Sequence, residues 1–431
     1  MTSRRGPSFL LTAAGTAIFG VACGNTIVVF EGTGGGGASP PDPATTSVSS
    51  SSSSSSGSGG TTTSTGVGGA NTGGSGLGGE CVPEQVPTEV VHGPLDVVLV
   101  ATNGFNMDDE LAGLEANINA NFASVLQGLG VDLRVIAVSD HGPSGQQLCV
   151  PPPLSATSNC SGPPVEVPGQ FFAYDVVVQT SDALCRMLNT VLGNTQGGQI
   201  DENGFHPTGW GPLLRPEATH ALTVFAQAGV SCFLNGETYL DQNQVTQGQQ
   251  VAINWDADLL SLAPGIFGTV SDRRYVFYSL VGMAEKNPAF ASYGPNEPVT
   301  NAPCLTAFAA GTGYQWLSRG TEALRFPICQ PQNYGIILSD LALDMAEKVR
   351  DPCRLSVPTL DDTLSIILQV TPSGGMTEEW FQVPSASACG PTKAFYYEPM
   401  SKEVVLCPEA CEVVEQTAAS LELWTHCPII D

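Results

Sequence analysis

The sequence predicts an α/β fold: a three-layer sandwich around a largely parallel sheet, followed by a small C-terminal β appendage tied by disulfides. Residues 96–101 form an almost continuous apolar run, which is typical of a strand buried on both faces. Apolar residues then recur every three or four positions from Leu111 to Leu129, as on one face of a helix. A second apolar run at 133–138 completes a strand–helix–strand unit, whose two strands should be parallel.

The chain up to residue 350 continues this alternation, and the pattern changes at Asp351-Pro352-Cys353. In the first part, further strands are predicted at 221–226 and 275–281, and further helices are predicted at 181–192, 314–324 and 334–350. Short aromatic or β-branched strands follow at 364–370, 394–397, 404–406 and 421–424. We therefore expect the α/β domain to span 81–350, with a Pro/Gly-rich insertion at 140–172, and the appendage to span 351–431.

The first 80 residues are predicted to form a targeting segment followed by a spacer. Residues 1–22 place two arginines before an apolar stretch that is shorter than the ~20 residues of a membrane span, as in a secretory signal peptide. The sequence Gly20-Val21-Ala22-Cys23 resembles a bacterial lipobox, and this resemblance implies that Cys23 is acylated. Ordinary signal cleavage is the alternative. Residues 23–80 are rich in Ser, Gly and Thr, so we expect a disordered tether.

The charge balance restricts the partners of the folded part. The chain has 15 basic and 41 acidic residues, which gives a formal net charge of −26. Nucleic acids and anionic membrane surfaces require a basic face, so neither is an expected partner of this part. We expect membrane contact through the lipid on Cys23 alone. Gly24 after Cys23 favours a lipid-anchored location in the cell envelope, in the outer membrane of a Gram-negative bacterium.

The cysteine pattern indicates an oxidising compartment. The chain has 13 cysteines, and the twelve that follow Cys23 allow up to six disulfides. Cys149 and Cys160 flank a proline- and serine-rich loop and are the most plausible local pair. One member of the Cys407–Cys411 pair could bond to Cys389 or Cys427, and the remaining connectivity stays open. A zinc site is disfavoured because the sequence contains no C-x2-C pair.

The start of the α/β domain resembles that of a von Willebrand factor A (vWA) domain. Such domains open with an apolar strand, then D-x-S-x-S-M, then an amphipathic helix, and residues 97–110 follow this layout. The chain resembles secreted A-domain lipoproteins of the myxobacterial type. The resemblance covers roughly 94–350. It implies a Rossmann-like three-layer fold with a metal-ion-dependent adhesion site at the carboxyl end of the central strand.

At the positions that this resemblance assigns to the metal ligands, this chain carries residues that differ from the ligands of the family. Thr102 stands at the aspartate position, Gly104 and Asn106 stand at the serine positions, and Thr180 is the nearest match to a separate threonine ligand. The second acid is replaced within Gln227-Ala228-Gly229. Neutral oxygens cannot substitute for carboxylates at a Mg²⁺ site, so we expect a degenerate site with no cofactor. The alternative is an altered Mg²⁺ or Ca²⁺ site that recruits Asp108 or Asp109.

Catalytic signatures are missing from the sequence. It contains no G-x-S-x-G, H-E-x-x-H or Walker motif. Ser139-Asp140-His141 is interpreted as the polar end of a strand, because triads combine residues from separate loops. Asp256, Asp258 and the Asp361-Asp362 pair are interpreted as solvated or helix-capping acids.

We therefore expect a non-catalytic binding or scaffold protein. It would recognise a protein or surface polymer through the loops at the top of the sheet and the insertion around Cys149 and Cys160. A metal-dependent extracellular enzyme or processing factor with an atypical site is the alternative.

Overall fold

The computed structural model describes residues 84–104, 106–193, 200–358, 360 and 365–426. Several predictions fall outside these residues. They are the signal peptide at 1–22, the tether at 23–80 with Cys23, the acids at 361–362, and Cys81 and Cys427.

The elements follow one another in chain order. The strands are β1 (Gln85–Val86), β2 (Glu89–His92), β3 (Leu95–Ala101), β4 (Leu133–Ser139), β5 (Phe171–Asp175), β6 (Thr219–Ala226), β7 (Ser231–Leu234), β8 (Glu237–Leu240), β9 (Gly268–Thr269), β10 (Asp272–Arg273), β11 (Tyr275–Val281), β12 (Arg325–Pro327), β13 (Arg350–Ser356), β14 (Ser365–Thr371), β15 (Glu378–Gln382), β16 (Ala394–Glu398), β17 (Glu403–Leu406) and β18 (Ser420–His426). The α-helices are α1 (Asp108–Asn117), α2 (Ser124–Gly128), α3 (Ala183–Thr190), α4 (Val245–Leu262), α5 (Pro264–Phe267), α6 (Thr312–Gly320), α7 (Tyr334–Lys348) and α8 (Pro408–Thr417). None of the described helices is both long enough and apolar enough to cross a bilayer.

Six strands form a parallel sheet in the order β12-β11-β6-β3-β4-β5. Numbered along the chain within this sheet, the order is 3-2-1-4-5-6, as in doubly wound folds. The predicted strands at 96–101, 133–138, 221–226 and 275–281 are confirmed. The chain reverses its direction of growth between β3 and β6, so the loops that follow these two strands meet at the carboxyl edge of the sheet.

Helices cover both faces of this sheet. Alternate side chains of β3 point to opposite faces, so Leu99 belongs to one core and Val98 to the other. The first core is closed by α1, α2, a π-helical turn at Ile118–Ala123 between them, and α7. The second is closed by α3, α4 and α6. This three-layer arrangement explains why the strands have continuous apolar runs instead of alternation.

Eight further strands form a curled sheet in the order β1-β18-β14-β15-β16-β17-β13-β2, and β7–β8 and β9–β10 form two separate antiparallel pairs. Its two edge strands, β1 and β2, are separated by only two residues of the chain. A sheet whose edge strands are neighbours in sequence must bend back on itself. These strands lie within 81–350, the range predicted for the α/β domain, whereas they pair with β18 and β13. The appendage also contains α8, which packs Ala410 and Val414 into its core.

Five disulfides join described residues. They are Cys149–Cys160, Cys185–Cys232, Cys304–Cys329, Cys353–Cys411 and Cys389–Cys407. The predicted local bridge between Cys149 and Cys160 is confirmed. Of the alternatives left open by the sequence, Cys389 bonds to Cys407, and Cys411 reaches back to Cys353.

Candidate functional site

The candidate site lies at the carboxyl edge, where β3 and β6 end side by side. Thr102 follows β3, and Gln227 follows β6. Open α/β sheets bind ligands in the crevice at this switch point. The structure brings the four positions aligned with the vWA ligands, Thr102, Gly104, Asn106 and Thr180, to this edge.

Their contacts are internal to the protein. The Thr102 hydroxyl is fully buried and donates to the Phe225 carbonyl at 3.3 Å. The Asn106 carbonyl accepts a hydrogen bond from Gln227 Nε2 at 2.6 Å, and Asn106 itself is exposed with φ of 71°. Thr180 packs so closely on Gly104 that a side chain at position 104 would collide with its hydroxyl. Position 104 therefore requires glycine, for steric reasons alone.

These donors do not fit a divalent cation. A Mg²⁺ or Ca²⁺ site needs several oxygen ligands, usually with at least one carboxylate. The aligned positions offer a buried hydroxyl that is already used, an exposed amide and the Thr180 hydroxyl. The Asp108 carboxylate, proposed above as a recruited ligand, lies against Gly145 of the insertion.

A buried carboxyl–amide pair, which is not predicted from the sequence, lies beside these positions. Glu110 is 4% exposed and Gln227 is fully buried. Gln227 Nε2 donates to Glu110 Oε1 at 2.6 Å as well as to the Asn106 carbonyl. Burial raises the pKa of Glu110, and the nearby Asp109 and Asp108 add to this effect. The pair therefore links the first turn of α1 to the end of β6.

Asn103, also missed by the sequence analysis, fixes the strand ends beside this pair. Its amide nitrogen donates to Ser139 Oγ at 3.0 Å and to the Gln146 carbonyl at 2.8 Å. Its amide oxygen accepts the backbone N–H groups of Asp140 and Val178, both at 3.0 Å. One side chain thus connects the loops that follow β3, β4 and β5. No local pattern in the sequence distinguishes this asparagine from any other loop residue.

The Ser139-Asp140-His141 sequence is used structurally. The Ser139 hydroxyl donates to the Ala101 carbonyl, and the Asp140 carboxylate accepts Gln147 Nε2. The His141 backbone N–H donates to Asp175 Oδ1 at 2.8 Å. The three side chains do not form a relay with one another in these contacts.

Three disulfides hold the loops of the carboxyl edge. Cys149–Cys160 closes the insertion after β4, and Cys185–Cys232 joins α3 to the β7–β8 hairpin. Cys304–Cys329 joins the segment after β11 to the one after β12. Large apolar side chains are exposed on two of these loops: Phe233 (68%), Leu305 (97%) and Phe308 (60%). The disulfides restrict the backbone of the loops that carry these exposed side chains.

An open cavity of about 410 Å³ separates α1 from the insertion. Asp108 and Glu115 line it on the helix side, and Gly145 and the Cys149–Cys160 bridge line it on the other. Glu115 Oε1 accepts the Cys149 backbone N–H at 2.6 Å. Burial raises the pKa of Glu115, and this backbone hydrogen bond opposes the rise only in part. The ionisable side chains along this cavity are acidic.

A second cavity, of about 230 Å³, lies between α4 and α6 on one face of the sandwich. At one end of it, Arg273 pairs with Asp256 at 2.8 and 2.6 Å, and the Tyr275 hydroxyl donates to the same carboxylate at 2.5 Å. Asp258 accepts the Tyr239 hydroxyl. The interpretation of Asp256 and Asp258 as solvated or capping acids is therefore wrong, because both hold α4 to neighbouring strands.

Comparison with known proteins does not identify a family. No protein-family model matches the chain, and no characterised protein shows significant sequence similarity to it. The resemblance to vWA domains therefore remains a prediction from the residues of this chain.

Proposed function

We propose that this protein is a vWA-like binding or scaffold protein of the cell envelope that acts without catalysis. It would recognise a protein or a surface polymer through the carboxyl edge of its parallel sheet. Acylation of Cys23 would anchor it to the membrane, and the 23–80 tether would hold the folded part at a distance from the lipid surface.

The observation that carries this proposal is that disulfides hold the loops of the carboxyl edge, and that some of these loops expose large apolar side chains. Three of the five described disulfides hold loops on this one edge. Rigid loops lose little conformational entropy on binding, so preorganisation of this kind increases affinity. Two of the fixed loops also expose large apolar side chains, including Leu305 and Phe308. Exposed apolar groups grouped on one face are typical of interaction surfaces.

The same edge gives little support to metal-dependent chemistry. The Thr102 hydroxyl and the Gln227 amide are both engaged with protein groups. A binding surface made of fixed loops needs neither a bound cation nor a nucleophile. Recognition without catalysis is therefore the function that these contacts favour.

Photo-crosslinking in intact cells tests this proposal. A photo-reactive amino acid would be placed at Leu305 or Phe308 and, as a matched control, at Met376 or Met400, which are exposed on the curled sheet. We expect a discrete crosslinked species from the two edge positions and none from the controls. The species should weaken when Cys304 and Cys329 are both replaced by serine, because the loop then loses its fixed position.

Equal crosslinking from edge and control positions would contradict the proposal. So would a complete lack of edge crosslinks under conditions in which the protein is folded and at its native abundance.

A further inference from the structure

The carboxyl edge combines two features that a single partner could contact together. Leu305 and Phe308 project from a segment held by Cys304–Cys329 and by a hydrogen bond from the Phe308 N–H to the Gln227 carbonyl at 2.9 Å. The acidic cavity between α1 and the insertion opens on the same edge. One feature is apolar and the other is negatively charged.

A short chain of contacts connects the two features. Gln227 holds the Phe308 N–H with its backbone carbonyl and the Asn106 carbonyl with its side chain. Asn106 lies two residues before Asp108, whose carboxylate lines the cavity against Gly145. Hydrogen-bonded loops of the same edge therefore carry the two features.

The cavity has the properties of a receptor for one cationic group. Its volume of about 410 Å³ is within the range of sites that enclose small organic groups. Asp108 and Glu115 supply carboxylates, and a partly buried carboxylate without a cation gains from a positive charge placed beside it. The Cys149–Cys160 bridge keeps the opposite wall in place. A polyanion would be repelled both here and by the whole chain, whose net charge is −26.

We propose that the partner is a basic protein segment that inserts a lysine or arginine side chain between Asp108 and Glu115 and packs an apolar side chain on Leu305 and Phe308. This inference rests on the proposed recognition function and defines the chemistry of the partner. The basic group would supply charge complementarity, and the apolar group would bury the exposed leucine and phenylalanine.

Synthetic peptides test this assignment by calorimetric titration. One octapeptide alternates lysine with leucine, and its matched control alternates glutamine with leucine. We expect the lysine peptide alone to bind to the full mature protein. The double variant Asp108→Asn/Glu115→Gln should bind it roughly tenfold more weakly and with a smaller dependence on salt. Leu305→Ser/Phe308→Ser should also weaken binding, without this change in salt dependence.

A net-charge control separates a specific site from general attraction. Glu379→Gln/Glu412→Gln removes the same two negative charges from exposed positions on the curled sheet and on α8. It should leave binding of the lysine peptide unchanged. Equal weakening by the two double variants would overturn the assignment, and so would equal binding of the lysine and glutamine peptides.

The two proposals can fail separately. If crosslinking from Leu305 and Phe308 captures a partner while Asp108→Asn/Glu115→Gln binds the lysine peptide as the unaltered protein does, the recognition edge stands and the basic partner is wrong. If a neutral oligosaccharide competes with the crosslink and the lysine peptide does not, the partner is a surface polymer, and the inference is likewise overturned.

Discussion

Glu110 is a buried carboxyl group with one oxygen that has no hydrogen-bond partner among the described residues. Gln227 Oε1, on the side chain bonded to it, is likewise buried and without a partner there. Two acceptor oxygens cannot bond to each other unless one carries a hydrogen. A neutral Glu110 would supply that hydrogen and complete a second bond to the amide. Leaving both oxygens unpaired would cost about 1–3 kcal/mol for each.

This arrangement predicts that Glu110 makes stability depend on pH. Burial raises the folded-state pKa of Glu110 above its ordinary value of 4.5. The stabilising contribution of the neutral acid is therefore complete below about pH 4.5 and is lost as the pH rises through the folded-state pKa. Glu110→Gln keeps both hydrogen bonds and cannot ionise. We expect its free energy of unfolding, measured by denaturant titration, to lack this decline.

Glu285 provides the control for that comparison. It is exposed and accepts a hydrogen bond from Gln330 Nε2 at 2.6 Å, the same kind of pair at the surface. Glu285→Gln should reproduce the pH profile of the unaltered protein. The difference for Glu110→Gln should reach about 1.4 kcal/mol for each pH unit that separates the two pKa values. Identical profiles for Glu110→Gln and the unaltered protein between pH 4 and 8 would show that Glu110 does not carry the proton.

The sequence could indicate single residues of the edge but not their partners. Thr102 and Asn106 belong to one local motif, so their common location could be anticipated, whereas Thr180 is placed beside them only by the resemblance to vWA domains. Glu110 and Gln227 are 117 residues apart, and an acid near a helix start normally interacts with the helix dipole. Nothing local indicates that this one is buried against an amide. Asn103 is missed for the same reason, since its four partners lie at the end of β4 and in the loops that follow β4 and β5.

At the scale of elements, burial decides which parts of the fold could be predicted. The strands β3, β4, β6 and β11 are covered on both faces, and their apolar runs reveal this directly. Helix α4 is not predicted, although its buried residues Val251, Trp255 and Leu259 recur every four positions, as on one face of a helix. The short strands β1 and β2 pair with strands more than 250 residues away, and no local pattern contains that information.

The disulfides give a prediction that compares two elements. Cys353–Cys411 closes 58 residues and joins α8 to β13, whereas Cys149–Cys160 closes 11 residues within the insertion. In the chain-entropy model, the longer loop contributes about 4 kcal/mol and the shorter about 3 kcal/mol. We therefore expect Cys353→Ser/Cys411→Ser to lower the free energy of unfolding more than Cys149→Ser/Cys160→Ser, as measured by denaturant titration.

Hydrogen exchange distinguishes the local effects of the two variants. Loss of Cys149–Cys160 should accelerate exchange across the 142–165 segment and leave the β3 and β6 amides protected. Loss of Cys353–Cys411 should accelerate exchange in α8 and β13. Uniform acceleration across the parallel sheet in the Cys149→Ser/Cys160→Ser variant would show that the insertion supports the whole α/β part instead of only the edge.

At the scale of the whole molecule, buried tyrosines are distributed through both cores of the α/β sandwich. Tyr275 and Tyr278 lie on β11, Tyr314 on α6 and Tyr334 on α7. Burial raises the pKa of each hydroxyl, and for Tyr278 the nearby Asp344 carboxylate, which accepts its hydrogen at 2.8 Å, adds to the rise. The folded state therefore keeps these protons at a pH at which the unfolded chain loses them.

This distribution predicts that stability falls at alkaline pH, in the same direction as the Glu110 effect but in a higher pH range. An unfolded tyrosine ionises near pH 10, so the stabilisation from each buried hydroxyl is complete below about pH 10 and is lost as the pH rises further. Each such tyrosine should lower the free energy of unfolding by up to about 1.4 kcal/mol per pH unit above that point.

Tyr278→Phe should reduce stability at pH 8 by about 1.5–3 kcal/mol, because Asp344 loses its donor. The same variant should show a shallower decline above pH 10. The measurement is denaturant unfolding from pH 8 to 11, with tyrosinate absorbance recorded in parallel. If the absorbance rises fully while circular dichroism remains native, the tyrosines ionise inside the folded protein, and their burial does not resist alkali as proposed.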